Sequence, residues 1–156
     1  MALIRARGDL FNSDLRALAH GCNCAGVMGK GIAVEFKRRW PAMYEEYHRR
    51  CKAGEFVPGD VFHWSESDHD IFNLGTQSHW RTKATLWNIE TSVTKMTKLA
   101  DELGITRIAM PAIGAGLGGL TLEAVMSRLR QTAEPWQGEL WVCVEFKISE
   151  ALEAIE

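Results

Sequence analysis

Apolar positions recur along this chain in two rhythms. Between residues 84 and 103, Leu86, Ile89, Val93, Met96, Ala100 and Leu103 follow one another at alternating steps of three and four. That spacing predicts a helix with one buried face, ended by Gly104 as its C-cap. Ile32, Phe36 and Trp40, spaced by four, predict a second helix over 31–39. Trp40-Pro41 stops it, because proline disfavours the helical region for the residue before it. Pro41 itself suits the first position of a new helix, on which Tyr44, Tyr47 and Cys51 share a face. A further helix is expected over 121–130. Short apolar runs predict strands at 3–7, 15–21, 60–64, 70–74, 105–110 and 140–146. The polar stretch Ser65-Glu66-Ser67-Asp68 separates two of them. The continuous apolar character of 140–146 points to burial on both faces. Strands alternating with helices imply an α/β fold, a three-layer α/β/α sandwich with a mixed, largely parallel sheet.

The 156 residues suggest about one domain, 1–156, with neither a repeat nor a linker to divide it. Hydrophobic residues at 46% and charged residues at 24% fit a globular chain and argue against disorder. Eighteen basic and twenty acidic side chains leave a formal charge of −2, so no global basic field holds nucleic acid. An anionic ligand has to be gripped by local donors. There is no run of ~18 apolar residues to span a membrane. The start Met-Ala-Leu-Ile-Arg-Ala-Arg-Gly-Asp lacks the apolar stretch of a signal peptide, and a cytoplasmic protein is expected. The four cysteines, Cys22, Cys24, Cys51 and Cys143, are expected to be reduced and mostly buried. A zinc site from His20, Cys22 and Cys24 lacks a second Cys or His pair to complete it, so no metal is expected.

Two glycine-dense loops carry the chemistry. The first runs through Asn23-Cys24-Ala25-Gly26-Val27-Met28-Gly29-Lys30-Gly31 and the second through Pro111-Ala112-Ile113-Gly114-Ala115-Gly116-Leu117-Gly118-Gly119. Each follows a predicted strand and precedes a predicted helix. Such loops turn backbone N–H groups toward an anion, and the helix dipole adds positive potential. A pair of them could clamp both sides of a diphosphate; taken singly, each is a tight turn. The first is no P-loop, since Cys24 and Gly31 stand where glycine and Ser or Thr are required. Gly114, Gly116 and Gly119 satisfy G-x-G-x-x-G, but too late in the chain to open a dinucleotide-binding βαβ unit, and Glu139 falls at the start of the next strand rather than its end.

Taken in order, Gly8-Asp9-Leu10, Ala19-His20-Gly21-Cys22-Asn23-Cys24, Met28-Gly29-Lys30-Gly31-Ile32-Ala33, Phe72-Asn73-Leu74 and Met110 to Leu120 resemble a macrodomain over nearly the whole chain. The resemblance implies the α/β/α fold and binding of ADP-ribose, with no cofactor. The ligand-binding residues it implies begin with Asp9 and Leu10, Asn23, and Met28, Gly29, Lys30, Gly31 and Ile32. Thr76 follows, then Ile113, Gly114, Ala115, Gly116, Leu117 and Gly118. The segment Thr76 to Thr85 is similar to the terminal ADP-ribose protein glycohydrolase and to antitoxin macrodomains that remove ADP-ribose from thymidine in DNA. In both, a lysine at the place of Lys83 is the catalytic residue, acting at the distal ribose C1″. The protein glycohydrolase has an aspartate where this chain has Gly118. The thymidine-specific relatives have glycine there, as in Gly116 to Leu120. An ADP-ribosyl hydrolase acting on modified DNA or protein is therefore expected, alongside a cognate ADP-ribosyltransferase. The alternatives are an ADP-ribose reader without turnover and a hydrolase of O-acetyl-ADP-ribose or ADP-ribose-1″-phosphate.

Several of these residues carry a second reading. Thr82 suits the N-cap of the long helix. That would set Lys83 in its first turn, against the positive end of the dipole, where the neutral amine is favoured; otherwise Lys83 is a solvated surface lysine. Asp9 either accepts from an adenine amino group or caps a turn. Asn23 either meets ribose hydroxyls or shapes a turn. Asn73 and Thr76 lie at a strand end, where ligands collect in open α/β sheets. Trp80, with His79 and Arg81, is either a stacking platform for a nucleobase or a partly buried loop aromatic. His63 and His69 read as surface or strand residues.

Overall fold

The computed structural model describes residues 2–155. Seven strands form one sheet: β1 (Ala2–Gly8), β2 (Ala17–Asn23), β3 (Val61–Glu66), β4 (His69–Gln77), β5 (Arg107–Pro111), β6 (Glu139–Phe146) and β7 (Glu153–Ala154). Their order is β3-β4-β2-β5-β6-β1-β7. The inner pairings β4–β2, β2–β5, β5–β6 and β6–β1 are parallel, and the edge pairings β3–β4 and β1–β7 are antiparallel. The helices are α1 (Ala33–Arg39), α2 (Pro41–Lys52), α3 (Leu86–Leu103) and α4 (Leu122–Ala133). Two buried clusters lie on opposite faces of the sheet. Alternate residues of β2 divide between them: Ala17 and Ala19 pack toward Ile89 and Val93 of α3 and Val125 of α4, while Leu18 and Cys22 pack toward Phe36 of α1 and Met43 and Tyr47 of α2. The period-two alternation of a strand buried on both faces produces the three layers. Truncating a fully buried side chain such as Met96 would cost about 2–5 kcal/mol.

The element ends follow from local hydrogen bonding. α3 starts after Thr85, which is extended at φ −121° and ψ 146° and accepts from the Asn88 amide through Oγ1. The cap is therefore Thr85, not Thr82, and Lys83 precedes the helix instead of occupying its first turn. At the other end Gly104 takes φ 72°, its amide donates to Asp101 O, and the Ile105 amide donates to Ala100 O. This is the Schellman arrangement. It commits Ile105 to the helix cap, so β5 begins at Arg107 rather than 105. The β3–β4 hairpin closes through Ser67 and Asp68 alone, at φ 48° and 66°. Such primed turns need two central residues, and both strands run into the polar break that the sequence pattern marks. β7 is an exposed two-residue strand with no apolar pattern to announce it. Among the described residues no helix is long and apolar enough to cross a membrane.

Candidate ADP-ribose site

The first glycine loop leaves β2 and the second leaves β5. These strands are neighbours in the parallel sheet, so loops distant in sequence meet above its C-terminal edge, where ligands collect in open α/β folds. They touch: a Cβ on Gly31, whose φ is +62°, would lie 3.1 Å from Leu117 Cδ1. This contact has a cleft on either side. One, of about 310 Å³, is lined by Asn23, Met28, Gly29 and Lys30 of the first loop, Leu117 of the second, and Trp80. The other, of about 470 Å³, is lined by Leu10, Phe11, Gly31 and Ile32 together with Phe146 at the end of β6 and Ile148 just beyond it. The first offers amide and ammonium groups; the second is largely apolar. Among the described residues, no protein acceptor takes the amides of Gly29, Lys30, Gly31 or Ile32. In the second loop Gly116–Gly118 forms a 3₁₀ turn, whose first amides lack intrahelical partners by construction. The donors belong to the loops themselves, since α1 has only seven residues and no side-chain cap.

Lys83 is exposed, and its stem lies across the second loop. A Cβ on Gly119 would sit 3.0, 3.3 and 3.5 Å from Lys83 Cγ, Cδ and Cε. The next residue is tied to the same loop, the Ala84 amide donating to Gly118 O at 2.9 Å. Gly118 is buried, and a Cβ there would meet Ala84 Cβ at 3.2 Å. Asn23 shapes its own loop without a left-handed φ. Its Oδ1 accepts from the Ala25 and Val27 amides at 3.0 and 3.3 Å, and Nδ2 donates to Val27 O at 2.7 Å. An amide nitrogen carries two hydrogens, so one remains for a ligand in the cleft. Asp9 is buried at the end of β1: Oδ1 accepts from the Phe11 amide at 3.0 Å and Oδ2 from the Ser149 amide at 2.9 Å. It caps the turn after β1 and also ties the chain beyond β6 to it. Thr76 is buried, with its hydroxyl donating to Cys22 O, and Ile113 is buried in the α3–α4 core. Neither these two nor Gly114, Ala115 and Gly116 line a cleft wall.

The family model described as Macro domain matches residues 19–129. The chain belongs to that family. The macro domain is similar to the DNA ADP-ribosyl glycohydrolase of Mycobacterium tuberculosis, 41% identical over 126 residues that cover 78% of this chain and 36% of that protein. It thus spans little more than a third of that relative's length. It superposes on the macrodomain of Thermus aquaticus DarG with TM-score 0.84 and 34% identity, covering 91% of this chain and 97% of that one. It also matches Thermosipho africanus DarTG in complex with ADP-ribose, with TM-score 0.83 and 25% identity, over 94% of this chain and 42% of that one.

The remaining reactive groups of the macro domain are held inert. Cys22 reaches the polar cleft, yet burial pushes its thiol well above the ordinary range. Burial, then the neighbouring Cys51 and Asp60, raise Cys24 to about 12. Thiols so raised are poor nucleophiles; the amines near this cleft are Lys30, in its wall, and Lys83, across Gly119. His20 donates to Asn73 Oδ1 at 2.7 Å, has Cys22 Sγ 3.5 Å from the same nitrogen and stacks on Phe36 at 3.8 Å. His63, on β3, donates to Asp70 at 2.7 Å, and His69 lies on β4. Sequence reading missed Gln77 in the polar cleft and Phe11, Cys143, Phe146 and Ile148 in the apolar one. The sequence does offer a signal for the last two: Phe146 closes an apolar strand at its C-terminal end and Ile148 follows it, both exposed.

Proposed function

We propose that this macro domain binds ADP-ribose across the two clefts and releases it from a modified thymidine in DNA. The observation that carries the reading is the pair of chemically different clefts meeting at the Gly31–Leu117 contact. The adenine fits the apolar cleft between Ile32 and Phe146, near the Asp9 carboxylate. The diphosphate crosses the contact, held by the amides of residues 29–32 and, on the Leu117 side, by the first amides of the Gly116–Gly118 turn, which Ile113, Gly114 and Ala115 set in position. The distal ribose enters the polar cleft beside Asn23; Thr76 lines no wall, but its hydroxyl donates to Cys22 O, and Cys22 does line it. Lys83, across Gly119, acts at C1″ as a nucleophile or as a base. The loops orient the substrate, and their amides stabilise charge that develops near the anomeric centre.

DNA as the acceptor is supported by glycine at position 118, in the Gly-Leu-Gly-Gly-Leu run, and by the similarity to DNA ADP-ribosyl glycohydrolases. A transferase that attaches ADP-ribose to the base must supply the substrate and is the natural partner. We take residues 1–156 to act as one unit. The free cysteines suit a reducing compartment such as the cytoplasm.

The test pairs binding with turnover. Calorimetry should detect ADP-ribose binding to the parent and to Lys83→Ala alike. Release from an ADP-ribosylated thymidine oligonucleotide should fall by at least a hundredfold in the variant. Cleavage at the parent rate would remove the lysine from the mechanism, and no heat with ADP-ribose would remove the ligand. Running a glutamate-modified protein and O-acetyl-ADP-ribose beside the oligonucleotide decides the acceptor.

A further inference from the structure

Trp80 is 48% exposed, whereas Trp40 and Trp136 are 6% and 4% exposed in the core. A single exposed aromatic is ordinary by itself, and Trp87 is more exposed still; Trp80 differs in lining the polar cleft, three residues before Lys83. The ring is held in place. His79 stacks on it at 3.5 Å between centroids and 30° between planes, and the Arg81 guanidinium lies 5.6 Å from its centroid. The loop beneath is closed on itself. Gln77 Nε2 donates to His79 O and Thr82 O, both at 2.9 Å, the His79 amide donates to Thr82 Oγ1 at 3.1 Å, and the Arg81 amide donates to His79 Nδ1 at 3.2 Å. A rigid, exposed aromatic loses little conformational freedom when it binds. The charge around it is one-sided. Lys30 lines the cleft, no carboxylate does, and among the described residues Lys30, Arg81 and Lys83 make no ion pair. In a chain of net charge −2, these three cations give the rim a local positive charge.

Resting on the function proposed above, we infer that Trp80 and its neighbours read the acceptor strand: the modified base of a single-stranded DNA stacks on Trp80, and its flanking phosphates lie on Arg81, Lys30 and Lys83. A distal ribose in the polar cleft puts its acceptor within reach of the cleft wall. Stacking needs a base face that is not already covered, so the strand must be single or the base turned out of its helix. An acidic peptide could satisfy the cations but has no flat face for the indole.

The experiment uses the chain carrying Lys83→Ala, which leaves the substrate intact. Affinities are measured for ADP-ribose and for a short single-stranded oligonucleotide with one ADP-ribosylated thymidine. Adding Trp80→Ala should weaken the oligonucleotide about tenfold more than it weakens ADP-ribose; Trp80→Phe should restore most of that difference. Replacing Lys30 or Arg81 by alanine should reduce the salt dependence of oligonucleotide binding by about one unit of slope each. Equal losses for both ligands, no rescue by phenylalanine, or a glutamate-modified peptide bound as tightly as the oligonucleotide would each overturn the inference. A parent that fails to bind ADP-ribose, yet binds the unmodified thymidine oligonucleotide at low salt through Trp80, would overturn the function and keep the platform.

Discussion

The His20 ring is wholly buried, stacked on Phe36 and donating to Asn73, and burial lowers its pKa from 6.5 to about 4 against the opposing effect of that hydrogen bond. The unfolded chain therefore binds a proton at this residue between pH 6.5 and 4 that the folded chain refuses. Stability from this group is complete above pH 6.5 and is lost as pH falls toward 4. At 1.36 kcal/mol per unit the loss comes to about 3 kcal/mol by pH 4. Urea denaturation at pH 7 and pH 4 should show it, and His20→Gln, which keeps a donor toward Asn73 and cannot titrate, should shrink the difference between the two. An equal difference in parent and variant would assign the acid sensitivity elsewhere. The same burial accounts for the cysteines: Cys22, in the wall of the polar cleft, and Cys24 are kept protonated by their surroundings.

At the scale of elements, two threonines three positions apart compete for one helix end. Thr82 and Thr85 both precede the apolar stripe of α3, and a sequence motif cannot choose between them. The structure gives each a different task. Thr85 Oγ1 caps the helix at Asn88, whereas Thr82 Oγ1 accepts from the His79 amide and lies 2.9 Å from His79 O, closing the loop that carries Trp80 and Lys83. Thr85→Ala should lower stability by about 1 kcal/mol in thermal or urea melts. Thr82→Ala should cost less stability but slow ADP-ribose release more. The reverse ranking would return the cap to Thr82. Residues in the middle of elements were legible because they repeat, as from Ile89 to Ala100 and from Leu140 to Val142; the Trp40-Pro41 break was legible because proline restricts the residue before it. Ends were decided by single hydrogen bonds, as with Ile105 in the helix cap and the two-residue turn at Ser67-Asp68. β7 left no trace in the pattern, being two exposed residues held by backbone pairing to β1.

At the scale of the molecule, strand order makes the site. β2 and β5 are far apart in sequence and adjacent in the sheet, so the macrodomain resemblance could name both loops, but only the sheet shows why they meet. The order also brings the end of β1 beside the end of β6, because these strands pair in parallel, and Asp9 fastens that corner. Its two oxygens hold the Phe11 and Ser149 amides, Asn12 Nδ2 donates to Ser149 O at 2.8 Å, and the Leu152 amide donates to Asn12 O at 3.0 Å. Phe11 and Ile148 line the apolar cleft, so one carboxylate fixes two of its walls. Asp9→Ala strips both amides of their acceptor; as Phe11 is half-buried and Ser149 exposed, the cost is about 1 kcal/mol, the low end of that for unpaired buried groups. The variant should melt lower and bind ADP-ribose more weakly, with a larger loss for ADP-ribose than for ribose 5-phosphate, which needs no adenine cleft. If both ligands weakened equally, Asp9 would act through the whole fold. If neither weakened, the apolar cleft would not be the adenine site.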